Sequence, residues 1–255
     1  MLGAMIGDIV GSVYEWHNIK TTQFEFFSPE CFFTDDTVLT AATAQALMTD
    51  GDYTRAYQDF ARRYPGRGYG GNFSKWVWEE NPQPYYSWGN GSAMRVSPVG
   101  FAFDTIEDVL AEAERSAAVT HNHPEGIKGA QATALAILMA RQGASKADVR
   151  KEIAGRFGYD LDRTLDQIRP GYSFDVSCQG SVPEAIIAFL ESAGYENAVR
   201  LAISIGGDSD TIACITGGIA EACYGIPDEI ADEGKSYLPE EFIEIIDQFS
   251  AFVSE

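Results

Sequence analysis

Gly206-Gly207-Asp208-Ser209-Asp210-Thr211-Ile212-Ala213-Cys214-Ile215-Thr216-Gly217-Gly218-Ile219-Ala220-Glu221-Ala222-Cys223-Tyr224 joins an acidic turn to a run whose apolar residues recur at three and four. That period marks a helix, from Thr211 to Tyr224. The same period returns over residues 38–48, 53–64, 106–117, 129–139, 182–190, 198–205 and 240–252, while alternating strand patterns with tight hairpin turns are scarce. The expectation is an all-α, compact multi-helix domain. Gly3, Gly7 and Gly11 lie four apart on an opening helix, and Gly217, Gly218 and Ala222 repeat the habit on the last strong one. Each helical glycine costs about 0.8–1 kcal/mol relative to alanine, so the stripes need a packing reason. Two smooth faces make these helices the natural central pair, with Gly7 expected close to Gly218.

The turn in front of the helix carries the chemistry. Capping a helix takes one short polar side chain, and Asp208, Ser209, Asp210 and Thr211 supply four. Thr34-Asp35-Asp36-Thr37 does the same ahead of the run from Val38. Carboxylates and hydroxyls form the oxygen-only donor set of a hard cation such as magnesium, manganese or calcium. Two overloaded helix starts predict one metal centre built from both ends of the chain, with room for two ions. The alternative for the first start is that Thr34 or Asp35 caps the helix and Asp36 complements its dipole. Asp8 and Glu15 are seven apart and fall near one side of the opening helix or its exit. Asp8, in a very apolar run, reads as a buried hydrogen-bonding group. Glu15, between Tyr14 and Trp16, is the candidate general acid/base, because an aromatic setting raises a carboxyl pKa.

The 255 residues, 45% of them hydrophobic, suffice for a sizeable core, and no linker-like stretch divides them, so residues 1–255 read as one domain. A formal charge of -20 argues against nucleic acid and against an anionic membrane surface. Cys31, Cys178, Cys214 and Cys223 show neither zinc spacing nor a disulfide framework and suit a reducing cytoplasm. The apolar opening lacks a basic n-region, contains Asp8 and meets its first basic residue at Lys20, so it does not read as a signal peptide. No apolar run approaches the roughly 20 residues of a membrane span. Asn81 to Gly91 is an irregular loop of Pro, Tyr, Trp, Asn and Gly, suited to face a ligand. It leads into Gly89-Asn90-Gly91-Ser92-Ala93-Met94-Arg95, which lacks the strand and third glycine of a dinucleotide fingerprint and reads as an anion cradle at a helix start near Ala93, with Arg95 a structural cation. Gly234-Lys235-Ser236 is not a phosphate loop, because Glu229 stands where the leading glycine belongs. His121-Asn122-His123 reads as a cap and a surface residue, or as one ligand contact.

Together, Gly7-Asp8-Ile9-Val10-Gly11-Ser12-Val13-Tyr14-Glu15, Thr34-Asp35-Asp36-Thr37, the segment Gly89 to Arg95, Thr120-His121, Gly180-Ser181-Val182-Pro183-Glu184-Ala185 and Gly206 to Thr211, in this order, resemble the ADP-ribosylglycohydrolase family from Leu2 to about Pro227. The resemblance implies a metal-dependent hydrolase with two Mg2+ (or Mn2+). It would cleave the bond between C1 of the distal ribose of ADP-ribose and an arginine or serine acceptor. It implies Thr34, Asp35, Asp36, Asp208, Asp210 and Thr211 as metal ligands, Asp210 bridging, with Glu15 beside the scissile bond. It further implies that Tyr85 to Gly91 wraps the diphosphate and distal ribose through Ser87 and the backbone of Trp88, Gly89, Asn90 and Gly91. Tyr86 and Trp88 offer ring faces for stacking, His121 stands on the ligand side, and Val176 forms an apolar wall by the adenine. Ser209 replaces a threonine common at that position, without consequence for ligation, and residues 160–175 match no motif of the family. The acceptor is open: small conjugates such as O-acetyl-ADP-ribose are an alternative substrate class, and a non-catalytic ADP-ribose-binding regulator is an alternative function. With no second domain to recruit a partner, a cytoplasmic monomer is expected.

Overall fold

The structure, a computed structural model, describes residues 1–254. Its elements in chain order are α1 (Leu2–Gly11), followed by the short 3-10 turn Ser12–Tyr14, then α2 (Asp35–Met48), α3 (Tyr53–Arg63), α4 (Gly71–Trp76), α5 (Gly91–Met94), α6 (Ser97–Ala102), α7 (Ile106–Ala118) and α8 (Pro124–Arg141). The second half holds α9 (Lys146–Phe157), α10 (Leu165–Ile168), α11 (Cys178–Glu191), α12 (Tyr195–Ile203), α13 (Ser209–Tyr224), α14 (Asp228–Lys235) and α15 (Glu240–Phe252). Among the described residues there is no strand, only an antiparallel bridge between Gly89 and Ser177. The fold is all-α, as the periodicity predicts.

The centre is the pair α1 and α13, the most extensively packed pair of helices in the molecule. Every residue of α1 is buried, and α13 is buried continuously from Ser209 to Ala220. Their contact is backbone on backbone: a β-carbon on Gly3 would lie 2.7 Å from the Gly217 carbonyl oxygen, and one on Gly11 would lie 2.5 Å from the Asp210 Cα. The predicted pair is therefore present in a different register. Gly7 meets Ala213, whereas Gly218 lies against Ala4 of α1 and against Ser97 and Ile137. Around this pair, α8 packs on α6, α7, α11 and α13, while α2 bridges α1, α3 and α15.

Element ends follow local chemistry. Helix α8 begins five residues before the periodic run, at Pro124, because His123 Nδ1 accepts the Glu125 N–H at 3.0 Å. Helix α12 stops at Ile203, short of the expected end, since Gly206 and Gly207 adopt φ of 72° and 76° and swing the chain into the acidic turn. Helix α9 had no clear period because it buries only Val149 and Ile153; Ser145 caps its start and Gly158 ends it in the left-handed region. No helix among the described residues is long and apolar enough to cross a membrane.

Candidate active site

The N-terminal ends of α2 and α13 converge beside the C-terminal end of α1. Asp8, buried inside α1, ties the first of these ends in place. Its carboxylate accepts hydrogen bonds from Thr34 N–H (2.9 Å) and Oγ1 (2.7 Å) and from Thr37 N–H (3.1 Å) and Oγ1 (2.5 Å). The hydrogen-bonding role read from its apolar setting is what the structure contains. Thr34 also caps α2, accepting the Asp36 N–H, so the capping alternative holds for that residue. Thr211 Oγ1 donates to Asp36 Oδ2 at 3.3 Å, joining the two helix starts.

Five carboxylates gather here in two groups. Asp8, Asp36 and Asp210 can each place an oxygen within 4.8 Å of the others, and so can Glu15, Asp208 and Asp210. Asp210 belongs to both groups. Asp36 Oδ1 and Asp210 Oδ1 are buried with no hydrogen-bond partner, and among the described residues no lysine or arginine pairs with any of the five. Burial and mutual repulsion hold Asp36 and Asp210 well above the usual carboxylate range, and burial raises Asp208 as well. Burial lifts Asp8 to about 6 against the opposing effect of its four hydrogen bonds. Buried carboxylates that repel one another and leave oxygens unpaired are stabilised by positive charge, and among the described residues no side chain is ion-paired with them. The donor set, all oxygen, fits a hard divalent cation. Asp35 lines the same cavity but stands outside both groups.

Glu15 is half-buried, and burial, then the Asp208 and Asp8 carboxylates, push it up to about 7. The aromatic setting expected from Trp16 is not the cause. Trp16 is 74% exposed and stacks on Phe174, with ring centroids 5.2 Å apart.

Glu15, Asp36, Asp208 and Asp210 line a cavity of about 380 Å³. Ser87, Gly89, Asn90, Gly91, His121 and Val176 line it. Asn90 Nδ2 donates to Asp208 Oδ2 at 2.7 Å and to Ser181 Oγ at 3.1 Å, so the glycine-rich loop is bonded directly to the acidic centre. His121 is buried with Nδ1 on Thr120 Oγ1 at 2.8 Å, and burial, then the Arg95 guanidinium, push its pKa well below the ordinary value, so its ring is neutral. Tyr86 and Trp88 are not brought into the cavity. Tyr86, at φ 55°, sets its ring edge-on to His123, and Trp88 is half-exposed with its carbonyl accepting the Cys178 N–H. Arg95 is completely buried over the Tyr57 ring, 4.1 Å to the centroid, and lines the cavity as well. One wall was missed in the sequence: Gly68, Gly70, Gly71, Asn72 and Phe73 line the same cavity as Asp35, whose N–H donates to Arg67 O at 2.8 Å. Its signal was the run Gly66-Arg67-Gly68-Tyr69-Gly70-Gly71.

The family model described as ADP-ribosylglycohydrolase matches residues 1–251. The chain belongs to the ADP-ribosylglycohydrolase family. ADP-ribosylhydrolase ARH3 of Mus musculus is 28% identical over 306 aligned positions, covering 89% of this chain and 83% of that protein. The Homo sapiens ARH3 is also 28% identical, covering 89% and 84%. ADP-ribosylarginine hydrolase Tri1 of Pseudomonas putida is 26% identical, covering 96% of this chain and 72% of its own length. A solved structure described as an ADP-ribosylglycohydrolase-related protein complex shares the fold, with TM-score 0.67, 24% identity and coverage of 99% and 94%. Within the ADP-ribosylglycohydrolase family frame, the two helix starts and the Gly89 to Gly91 loop are the parts this chain brings to one cavity.

Proposed function

We propose that this protein is a metal-dependent hydrolase that cleaves the glycosidic bond between ADP-ribose and an acceptor, an arginine or serine side chain, and so reverses ADP-ribosylation. The observation that carries the reading is the pair of carboxylate groups sharing Asp210, with Glu15 in the group that opens on the cavity. Asp36, Asp208 and Asp210, with Thr34, Thr211 and Asp35 lining the same cavity, are the residues that would hold divalent cations, magnesium or manganese. Bound there, the cations supply Lewis-acid polarisation and a source of nucleophilic oxygen at neutral pH.

Hydrolysis breaks the bond from C1 of the distal ribose to the acceptor heteroatom, delivers the hydroxyl of water to C1 and a proton to the acceptor. Glu15 is the group placed to hold and pass that proton, since a carboxyl raised toward neutrality can do both. Ser87, Gly89, Asn90 and Gly91 line the cavity, and this stretch is the part of an acidic protein we assign to the diphosphate. The neutral ring of His121 and the apolar edge of Val176 border the same space. Tri1, by its name an ADP-ribosylarginine hydrolase, supports the arginine arm. O-acetyl-ADP-ribose remains the alternative substrate.

The experiment is release of free ADP-ribose from matched arginine-linked, serine-linked and O-acetyl substrates, with Mg2+, Mn2+ or chelator, by wild type and Asp210→Ala. Metal-dependent release lost in the variant is expected. No release from any substrate by a protein that still binds ADP-ribose would replace the hydrolase reading with that of a binding regulator.

A further inference from the structure

Asn18 lies on the surface, yet its side chain has four backbone atoms within hydrogen-bonding distance. Its Nδ2 has three carbonyl oxygens in reach, Tyr14 O (2.7 Å), Glu15 O (2.9 Å) and Gly207 O (2.8 Å), so that its two N–H groups serve three acceptors with one of them shared, and its Oδ1 accepts the Gly207 N–H at 2.7 Å. The two-way exchange with Gly207 reproduces the pairing of two backbone amides and fixes which end of the side-chain amide is nitrogen. One small side chain thus ties the peptide of Glu15 to the peptide next to Asp208, across nearly two hundred residues of chain. Position 207 admits only glycine: its φ is 76°, and a β-carbon there would meet the Tyr172 ring at 2.5 Å. Lys20 braces the same turn independently, donating to Ile205 O at 2.5 Å and Tyr172 O at 2.7 Å, and it makes no hydrogen bond to Glu15.

We propose that Asn18 is a positioning residue that sets the distance between Glu15 and the Asp208–Asp210 carboxylates. The inference rests on the hydrolase reading for its effect on turnover, and on geometry alone for its effect on the turn. A surface asparagine that merely solvated its segment would bond to water and to near neighbours. Here half of its bonds go to a residue from the other end of the chain, one peptide away from a candidate ligand. Misplacement of a reacting group by about 1 Å costs on the order of 100-fold in rate, so a latch at this point has a large lever.

The test uses the full chain with Asn18→Ala, Lys20→Met and Glu15→Gln, alone and with Asn18→Ala added to Glu15→Gln. Three readouts are taken: kcat and KM at saturating Mn2+, Mn2+ affinity by calorimetry, and hydrogen exchange of the Gly207 amide. Asn18→Ala is expected to speed Gly207 exchange, weaken Mn2+ binding, and lower kcat by roughly 10- to 100-fold, the range for residues that orient a site's ligands, with KM nearly unchanged. Added to Glu15→Gln it should remove nothing more from kcat, because it acts through Glu15. Lys20→Met should weaken Mn2+ binding and leave kcat at saturating Mn2+ unchanged. An equal kcat loss in both backgrounds would overturn the proposal, as would unchanged Gly207 exchange. If wild type releases no ADP-ribose, the hydrolase reading fails by itself. The exchange and Mn2+ arms then decide the latch: faster exchange with weaker binding upholds it, and no change in either removes it.

Discussion

Gly7 of α1 lies against the carbonyl of Ala213 in α13 so closely that a β-carbon at position 7 would overlap it. Gly7→Ala gains about 1 kcal/mol of helix propensity but must drive two buried helices apart, and overpacking costs about 1–3 kcal/mol or more. Net destabilisation by up to about 2 kcal/mol is expected in urea melts. Gly155, in α9, offers the contrast, since nothing lies within 4 Å of its absent β-carbon. Gly155→Ala should stabilise by up to about 1 kcal/mol.

Asp8→Asn keeps the shape of the side chain and turns an NH2 group toward donors from Thr34 and Thr37. Buried donors without an acceptor cost about 1–3 kcal/mol, and the turn carrying Asp36 loses its anchor. Denaturant melts should show a loss of that size, and Mn2+ affinity should fall with it.

Asp210→Ala removes the carboxylate common to both groups. A cation present at 100 times its Kd stabilises the wild type by about 2.7 kcal/mol, visible as a rise in Tm. That rise should vanish in Asp210→Ala and persist in Glu15→Ala, whose kcat should fall by about 100- to 10,000-fold, the usual share of a general acid/base. A Glu15→Ala protein with full activity would remove its acid/base role.

Burial raises Glu15 from 4.5 to about 7 and Asp8 from 3.8 to about 6. In the metal-free folded protein these groups hold protons that the unfolded chain has already released. Folded-state pKa values above unfolded ones mean that stability falls as pH rises from 3.8 through about 7. Chelator-treated protein should therefore lose Tm across that window. Cations bind the deprotonated carboxylates, so the Tm gain on adding Mn2+ should be larger near pH 8 than near pH 5, a comparison that thermal melts make directly.

What the sequence showed and concealed follows from range. The periodic runs of α2, α3, α7, α13 and α15 were legible because their buried faces recur within the helix itself. Helix α9 was not, since two apolar residues make no stripe. Likewise Gly7 and Gly218 were correctly assigned to facing helices but not to each other, because register depends on which carbonyl fills each notch. At the site, the doubled acidic turns stood out by composition, and so did the loop from Ser87 to Gly91. The exposed positions of Tyr86 and Trp88 depended on backbone paths that no local pattern records. Asn18 carried no signal at all: its role exists only through Gly207, nearly two hundred residues away.

The pairing of α1 with α13 also dictates an order of events during synthesis. An emerging chain carries Asp8, Glu15 and Asp36 first and must leave them without Asp208 and Asp210 until the long stretch from Thr37 to Gly207 has been made. Closing so long a loop is entropically costly and slow compared with forming local helices. Cation capture is thus a late step, and a ribosome-bound fragment that stops before Gly206 would fold its early helices around a half-built acidic face.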